Sequence, residues 1–439
     1  MSEAVVQQPK STQRERWAWY LYDFGNSAYA AVVLLAVYSA YFKDQVVGGA
    51  EGSRLWGTAV GIAMLVVAVT SPVLGTIADF SGAKKRFLFF FTTMACVFTA
   101  LLFFVQQNDV VMGMIFFILA EIGYRSAQVF YNSLLPEIAD PEEIGQVSGN
   151  GWAIGSVGGI LCLILVLGLI LSFEGTLIVR LSLVITAGYF LLFTIPTFAW
   201  LRERAERQPL PEGENYISLA FKRLRRTFTE IRQFDQFIRF VIAFLIYNDG
   251  ILMALNFASI LGAVLYGLEQ QQLIIFMIIV QVTSIGGAYF FGVAADRFGG
   301  KRSLVISLVL MMGAVVWLYF NQTVMGFYLI GALAGFALTA VQSVSRAMVG
   351  LLSPEGKSAE FYGFFAVAGR TSSFIGPTIY GWLAAEATLW YQSQGMAEQL
   401  AEQTGHRVAL GSILAFLLVG LVLLFFVHEN AGRQSEDKG

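Results

Sequence analysis

The sequence predicts an all-α integral membrane protein: twelve transmembrane helices in two pseudo-symmetric six-helix bundles. Three observations carry that prediction. The chain has 439 residues, 56% hydrophobic and only 13% charged, where a soluble domain carries about 25% charged residues. Twelve apolar runs reach the roughly 20 residues that a helix needs to cross the hydrocarbon core. They cover 17–42, 55–78, 86–105, 109–132, 146–172, 177–201, 237–265, 272–295, 302–320, 324–350, 361–386 and 408–428. Finally, the motif between runs two and three, Gly75-Thr-Ile-Ala-Asp79-Phe-Ser-Gly82-Ala-Lys84-Lys85-Arg86, returns between runs eight and nine as Gly292-Val-Ala-Ala-Asp296-Arg-Phe-Gly299-Gly-Lys301-Arg302. A repeat at half the chain length in a membrane protein means two homologous bundles, an architecture that belongs mostly to secondary transporters.

Orientation follows from charge. Most of the 28 lysines and arginines fall on one side: Lys10, Arg14, Arg16, the 84–86 cluster, the 202–239 stretch, Arg297, Lys301, Arg302, Lys357, Arg433 and Lys438. The other side holds Lys43, Arg54 and Arg407, with Arg180 at a boundary. Both termini are therefore expected in the cytoplasm and the chain in the cell (inner) membrane. The connection 136–145 dissents, with Glu137, Asp140, Glu142 and Glu143. Residues 1–16 lack the apolar core of a signal peptide, so the first span is expected to act as an uncleaved targeting signal.

Taken in order, the spans differ in the polar groups they bury. Span one holds Asp23, Asn26, Ser27 and Tyr29, and span two ends on the first loop motif. Its glycines, Gly75 and Gly82, permit close helix approach and a tight turn, as Gly292 and Gly299 do in the second copy. Asp79 and Asp296 are placed to latch a neighbouring helix N-terminus or a cation, and the basic pairs ending in Lys85 and Arg302 also suit anionic headgroups. Cys96 and Cys162 lie inside spans three and five and read as packing thiols, with no disulfide, metal or cofactor expected.

Span four carries Glu121, Tyr124, Arg125 and Gln128; span seven Asn248, Asp249 and Asn256; span ten Gln342 and Arg346; span eleven Arg370. An intramembrane charge costs a few kcal/mol unless paired or hydrated, which makes each a functional candidate. Glu121 and Arg125 are i,i+4 neighbours and can pair. Depth, at about 1.5 Å per residue, also leaves open a contact of Asp23 with Arg125, of Asp249 with Arg370, and of Arg346 with Glu360. His406 and His428 read as an outside loop and the inner end of span twelve, so no histidine relay crosses the membrane. Proton coupling would then need a buried carboxylate, Glu121 first, then Asp23 or Asp249.

The domain boundaries are expected at 1–201 for the first bundle, 202–236 for a cytoplasmic linker and 237–439 for the second bundle. Within the linker Ile217, Phe221, Leu224, Phe228 and Ile231 recur at helical spacing among Lys222, Arg223, Arg225 and Arg226, an amphipathic helix on the inner leaflet. The repeat itself extends further. Gln128…Asn132 and Gly149…Gly155 align with Gln342…Arg346 and Gly363…Gly369, Pro141-Glu142 with Pro354-Glu355, and Tyr22-Asp23-Phe24-Gly25 with Tyr247-Asn248-Asp249-Gly250.

The loop motif resembles the signature between helices two and three of the major facilitator superfamily, present here in both halves. Trp19-Tyr-Leu-Tyr-Asp23-Phe-Gly-Asn26-Ser27-Ala-Tyr29 is similar to the opening helix of that superfamily's vacuolar-effluxer-like branch, also called the unknown major facilitator family. So are Gln342-Ser-Val-Ser-Arg346 and the run from Ala359-Glu360 through Gly369-Arg370 to Gly376-Pro377. Arg125-x-x-Gln128 partly matches a helix-four motif of proton-coupled facilitators, with Val129 where a glycine usually follows. The resemblance implies a central cavity lined by helices one, four, seven and ten, and members of the branch are thought to export amino acids, in fungi from the vacuole.

The function expected is therefore an alternating-access secondary transporter of a small polar solute, amino acid efflux first. Substrate-binding candidates are Asp23, Asn26, Tyr29, Tyr124, Arg125, Asn248, Asp249, Gln342 and Arg346, since arginine can hold a carboxylate and asparagine or tyrosine a zwitterion. Gating candidates are the two loop motifs and Arg370. The alternatives are a proton-coupled exporter of drugs or other organic solutes, then a non-transporting membrane sensor. An enzyme is disfavoured because the loops offer no clustered carboxylates, triad or metal ligands. The expected partners are a small molecule, H+ in the coupled case, and the lipid bilayer; no nucleic acid is expected, and the chain is read as a monomer.

Overall fold

In a computed structural model, residues 11–139, 144–173, 175–204, 210, 215–353, 361, 364–365, 368–369 and 373–428 are described. The first bundle contains α1 (Gln13–Val47), α2 (Gly49–Ser81), α3 (Lys84–Leu101), α4 (Val110–Ser133), α5 (Ile144–Ser172) and α6 (Thr176–Trp200). A connecting helix, Tyr216–Ile231, leads to α7 (Asp235–Tyr266), α8 (Gln270–Phe298), α9 (Gly300–Phe320), α10 (Val324–Leu352), α11 (Ile375–Ser393) and α12 (Glu398–Phe425). Eleven helices among the described residues are long and apolar enough to span a bilayer. The eleventh predicted span, 361–386, lies partly outside the described residues, and α11 covers its second half.

Local chemistry sets the boundaries. Thr12 begins α1 with a reciprocal capping box, its N–H donating to the Glu15 carboxylate at 2.8 Å and its hydroxyl accepting from the Glu15 N–H. Gly82 ends α2 at φ +53° and Gly299 stands at φ +92° between α8 and α9. Both are left-handed positions that glycine adopts without Cβ strain, as the loop motif requires. Within α1, two stretches, Tyr29–Ala36 and Phe42–Val47, are π-helical. Such widened turns concentrate at functional sites, because their carbonyls are freed from the regular ladder.

The packing repeats between bundles, as the repeat in the sequence demands. α1 packs on α5 and α6 as α7 packs on α11 and α12; α2 and α3 pack on α4 as α8 and α9 pack on α10. Gly25 of α1 sits against the Phe190 carbonyl of α6, and Gly250 of α7 against the Ile413 carbonyl of α12. A Cβ at either would press on backbone, so these glycines set the helix separation.

The two halves meet at the end away from the chain termini, here called the distal face. Across it Lys43 pairs with Glu402 at 2.6 Å, and Arg54 with Glu386 at 2.5 Å. Trp56 Nε1 donates to the Asn256 carbonyl at 2.9 Å, and Gln270 Nε2 to the Ala36 carbonyl of the first π-helical stretch at 2.8 Å. Gly57 lies directly on the Pro377 carbonyl, and Gly61 on the Thr378 hydroxyl. At the terminal end of α2 the situation reverses: a Cβ on Gly75, or on Gly149 of α5, would meet nothing within 4 Å. The halves are closed at the distal face and splay toward the terminal face. The close approach expected at Gly75 is absent in this state.

One sequence expectation is corrected here. His406 does not lie in a loop; it is buried within α12, bonded through Nε2 to Ser53 of α2 at 2.9 Å and facing Tyr380 of α11 through Nδ1. Helix α12 starts ten residues before its apolar run because its polar first turns are covered by α2 and α11. Lys43, read as an outside charge, is only 3% exposed and belongs to the distal seam.

Candidate functional site

The Tyr22-Asp23-Phe24-Gly25 segment is divided among three neighbours. Tyr22 is buried and shares a hydrogen bond of 2.8 Å with Thr92 on α3. Trp19, one turn earlier, stacks on Tyr131 of α4 with ring centroids 4.3 Å apart. Asp23 lies against α5, whose Gly155 leaves room for its carboxylate as Gly151 leaves room for Trp19. Asn26 Nδ2 reaches Asp23 Oδ1 at 3.5 Å. The charge acting on Asp23 from the other half is Arg346 of α10. Arg346 is exposed, on a face of α10 with Ser343 and Ala347, and that face looks across the opening at α1.

One turn deeper, Glu121 and Arg125 form the expected pair, with Arg125 Nε donating to Glu121 Oε1 at 2.7 Å. Glu121 is fully buried, whereas the Arg125 side chain is 25% exposed. The Arg125 guanidinium lies 5.2 Å from the Tyr124 ring centre, and Tyr124 stacks on Tyr29 at 4.5 Å. Among the described residues Glu121 Oε2, Tyr29 Oη and Asn26 Oδ1 are buried without a hydrogen bond of normal geometry, although the Tyr29 hydroxyl lies within reach of the Glu121 carboxylate. Buried polar atoms without such bonds are costly, and three around one ion pair mark a polar chamber in the first half. Arg125 is taken by Glu121, and Asp23 instead faces Arg346.

The second half is built differently. Asn248 takes the position equivalent to Asp23, so Asp249 falls at the position of Phe24. As Gly158 of α5 packs on the Phe24 carbonyl, Gly376 of α11 packs on the Asp249 carbonyl. The Asp249 carboxylate is buried and directed at the Gly376 N–H in the first turn of α11, where a helix N-terminus favours an anion. Its Oδ1 is buried without a hydrogen-bond partner among the described residues. Asn256 donates to its own helix at Leu252. Gln342 is half-buried on α10. Arg370 and Glu360, and with them the pairings predicted for Asp249 and Arg346, lie outside the described residues.

One residue that sequence reasoning passed over is Gln281, in the middle of α8. A Cβ at Gly159 of α5 would lie 3.1 Å from Gln281 Oε1, and Gln281 Nε2 is buried without a partner among the described residues. A lone glutamine in an apolar run was the available signal.

In the loop motifs the basic residues tie each half together. Lys85 Nζ donates to the Phe198 and Leu201 carbonyls at the end of α6, at 3.1 and 2.5 Å. Lys301 Nζ donates to the Phe425 and Val427 carbonyls at the end of α12, at 2.9 and 2.6 Å. Lys84 is buried, with Glu137 at 2.5 Å and the Ser133 carbonyl at 3.1 Å. The acidic residue that dissented from the charge rule thus has its cation. Arg302 is exposed, and the side chains of Asp79 and Asp296 and the surroundings of Gly292 lie outside the described residues.

Comparison with known proteins agrees with this architecture. Residues 57–437 match the family described as "Vacuole effluxer Atg22 like". An uncharacterized MFS-type transporter, YxiO of Bacillus subtilis (strain 168), is 29% identical over 432 residues, 96% of each chain. Autophagy-related protein 22 of Coccidioides immitis (strain RS) is 24% identical over 400 residues, 73% of this chain and 66% of its own. Among solved structures, a bacterial homolog to the human lysosomal transporter Spinster, inward-facing and unoccupied, superposes with a TM-score of 0.72 at 12% identity, covering 95% and 97% of the two chains. A point mutant of the nucleoside transporter NupG gives 0.71 at 15% identity, covering 93% and 99%.

Proposed function

This chain belongs to the Atg22-like vacuole effluxer family, and from that premise we propose that it works by alternating access, exporting a small zwitterionic solute, an amino acid first. It is a multi-pass membrane transporter of the major facilitator type. In our reading both termini are cytoplasmic, so the distal seam is the outer gate and the state described is inward-facing. The bundle limits read from the sequence, 1–201 and 237–439, are then the two rocking bodies.

The observation that carries the proposal is the Glu121–Arg125 pair, buried on its carboxylate side and open on its guanidinium side. An arginine so placed can receive a solute carboxylate by charge-assisted hydrogen bonds, with Arg346 facing it across the opening. Asp23 is positioned for an ammonium group, and Asn26, Tyr29 and Gln281 offer buried polar atoms. A solute carboxylate that competes for Arg125 separates it from Glu121, and in our reading Glu121 is the first candidate for carrying a coupled proton, ahead of Asp23 and Asp249.

Counterflow of radiolabelled amino acids into proteoliposomes tests the reading. We expect saturable uptake of at least one amino acid, lost in Arg125→Ala. Flux of nucleosides or cationic drugs, with none for any amino acid, would move the assignment to another organic solute.

A further inference from the structure

We propose that a pocket at the terminal face of the first bundle binds the phosphate of an anionic phospholipid. The pocket encloses about 850 Å³ between the start of α1, the start of α3 and the end of α6. Four cations line it, Arg14, Lys85, Arg202 and Arg204, with two carboxylates, Glu15 and Glu203.

Both carboxylates are already used. Glu15 is held by the Arg204 guanidinium at 2.8 and 2.9 Å and accepts from the Arg202 N–H. Glu203 accepts from the N–H groups of Lys84 and Lys85 at 2.6 and 3.3 Å, so it caps the start of α3. Arg204 is spent on Glu15, and Lys85 on the carbonyls of α6. Two cations remain for a ligand. Arg202 is exposed, and its guanidinium makes no hydrogen bond or ion pair among the described residues; Arg14 lies over the Trp200 ring at 4.3 Å.

The level of the pocket selects the class of ligand. Trp200 is the last residue of the apolar helix α6, and Trp17, one turn beyond Arg14 on α1, is 52% exposed. Tryptophans at helix ends mark the headgroup layer, so Arg14 and Arg202 stand where lipid phosphates lie. A basic pocket between transmembrane helices at that level suits an anionic headgroup, and guanidinium groups match phosphate by paired hydrogen bonds. The sequence suggested the 84–86 cluster for this role. The structure withdraws Lys84 and Lys85 into the protein and leaves the task to Arg14 and Arg202.

The test is native mass spectrometry of the full-length protein in detergent with equal amounts of phosphatidylglycerol and phosphatidylcholine. The wild type should retain phosphatidylglycerol preferentially. Arg14→Gln/Arg202→Gln should reduce that retention about tenfold without lowering the unfolding temperature, since both side chains are exposed. Arg86→Gln, an exposed cation outside the pocket, should retain lipid as the wild type does. Unchanged retention in the double variant would overturn the site. Displacement of the lipid by millimolar inorganic phosphate would overturn the lipid as ligand and leave a free phosphate.

Discussion

Lys301 closes the end of α12 as Lys85 closes the end of α6, although the repeated motif aligns Lys301 with Lys84. The reason is helix position. Lys85 is the second residue of α3, and Lys301 the second residue of α9, which begins one motif position earlier. From that place a lysine reaches the last carbonyls of the sixth helix of its own half, where a cation is favoured. The motif therefore fastens each half as a rigid unit, a precondition for one half to rock against the other.

A division of labour within the first motif follows. Lys84→Met takes the cation from the buried Glu137 carboxylate, which keeps the Arg204 N–H at 2.7 Å, and should cost about 3 kcal/mol. Lys85→Met and Lys301→Met lose only carbonyl caps, about 1 kcal/mol each. Thermal unfolding in detergent should place Lys84→Met well below the other two, and Glu137→Gln should restore most of its loss. Equal losses at Lys84 and Lys85 would contradict the assignment.

The distal seam gives a pair of opposed variants. Gly57→Val puts a side chain into the Pro377 carbonyl, so the seam cannot close. Gly75→Val sits in open space in this state and obstructs only the opposite closure. Both should lose transport by at least an order of magnitude, with opposite labelling. A cysteine at Thr58, inside the seam, should react with a distal-side reagent in the Gly57→Val background and be protected in the Gly75→Val background.

In the polar chamber, Arg125→Ala strands Glu121 and should destabilise the protein by several kcal/mol as well as abolish transport. Glu121→Gln keeps the shape and should fold normally while losing coupling. The double change Glu121→Gln/Arg125→Met should recover the stability but not the transport, as thermal unfolding and counterflow together would show.

Tyr29→Phe removes a buried hydroxyl that faces the Glu121 carboxylate without a hydrogen bond of normal geometry. Its effect on unfolding should be within about 1 kcal/mol, or stabilising, because an unsatisfied buried group is deleted. Transport should fall several-fold if that hydroxyl serves the solute. Wild-type transport by Tyr29→Phe would remove Tyr29 from the site.

The spans, the two halves and the Glu121–Arg125 pair were legible because hydropathy, repetition and i,i+4 spacing report on single helices. Contacts between helices were not. His406 read as a loop residue because its segment is polar, yet it is buried at the distal seam against Ser53 of the opposite half, where Lys43 is buried against Glu402. The packing of Gly376 of α11 on the Asp249 carbonyl depends on the register between two helices, which no single span contains. Asp23 was matched in depth to Arg125, which Glu121 holds one turn away on the same helix. Helix starts, on which the lysine positions depend, are set by glycine φ angles that a residue alignment does not contain.

The account stands most directly on the motion between halves. Spin labels at Val111 on α4 and Met325 on α10, both exposed at the distal face, measure the distal separation by double electron–electron resonance; the native Cys96 and Cys162 are buried and leave the labels unambiguous. The account predicts a short distance in Gly75→Val, a longer one in Gly57→Val, and both populations in the otherwise unmodified protein in lipid. A single unchanged distance in all three would contradict alternating access.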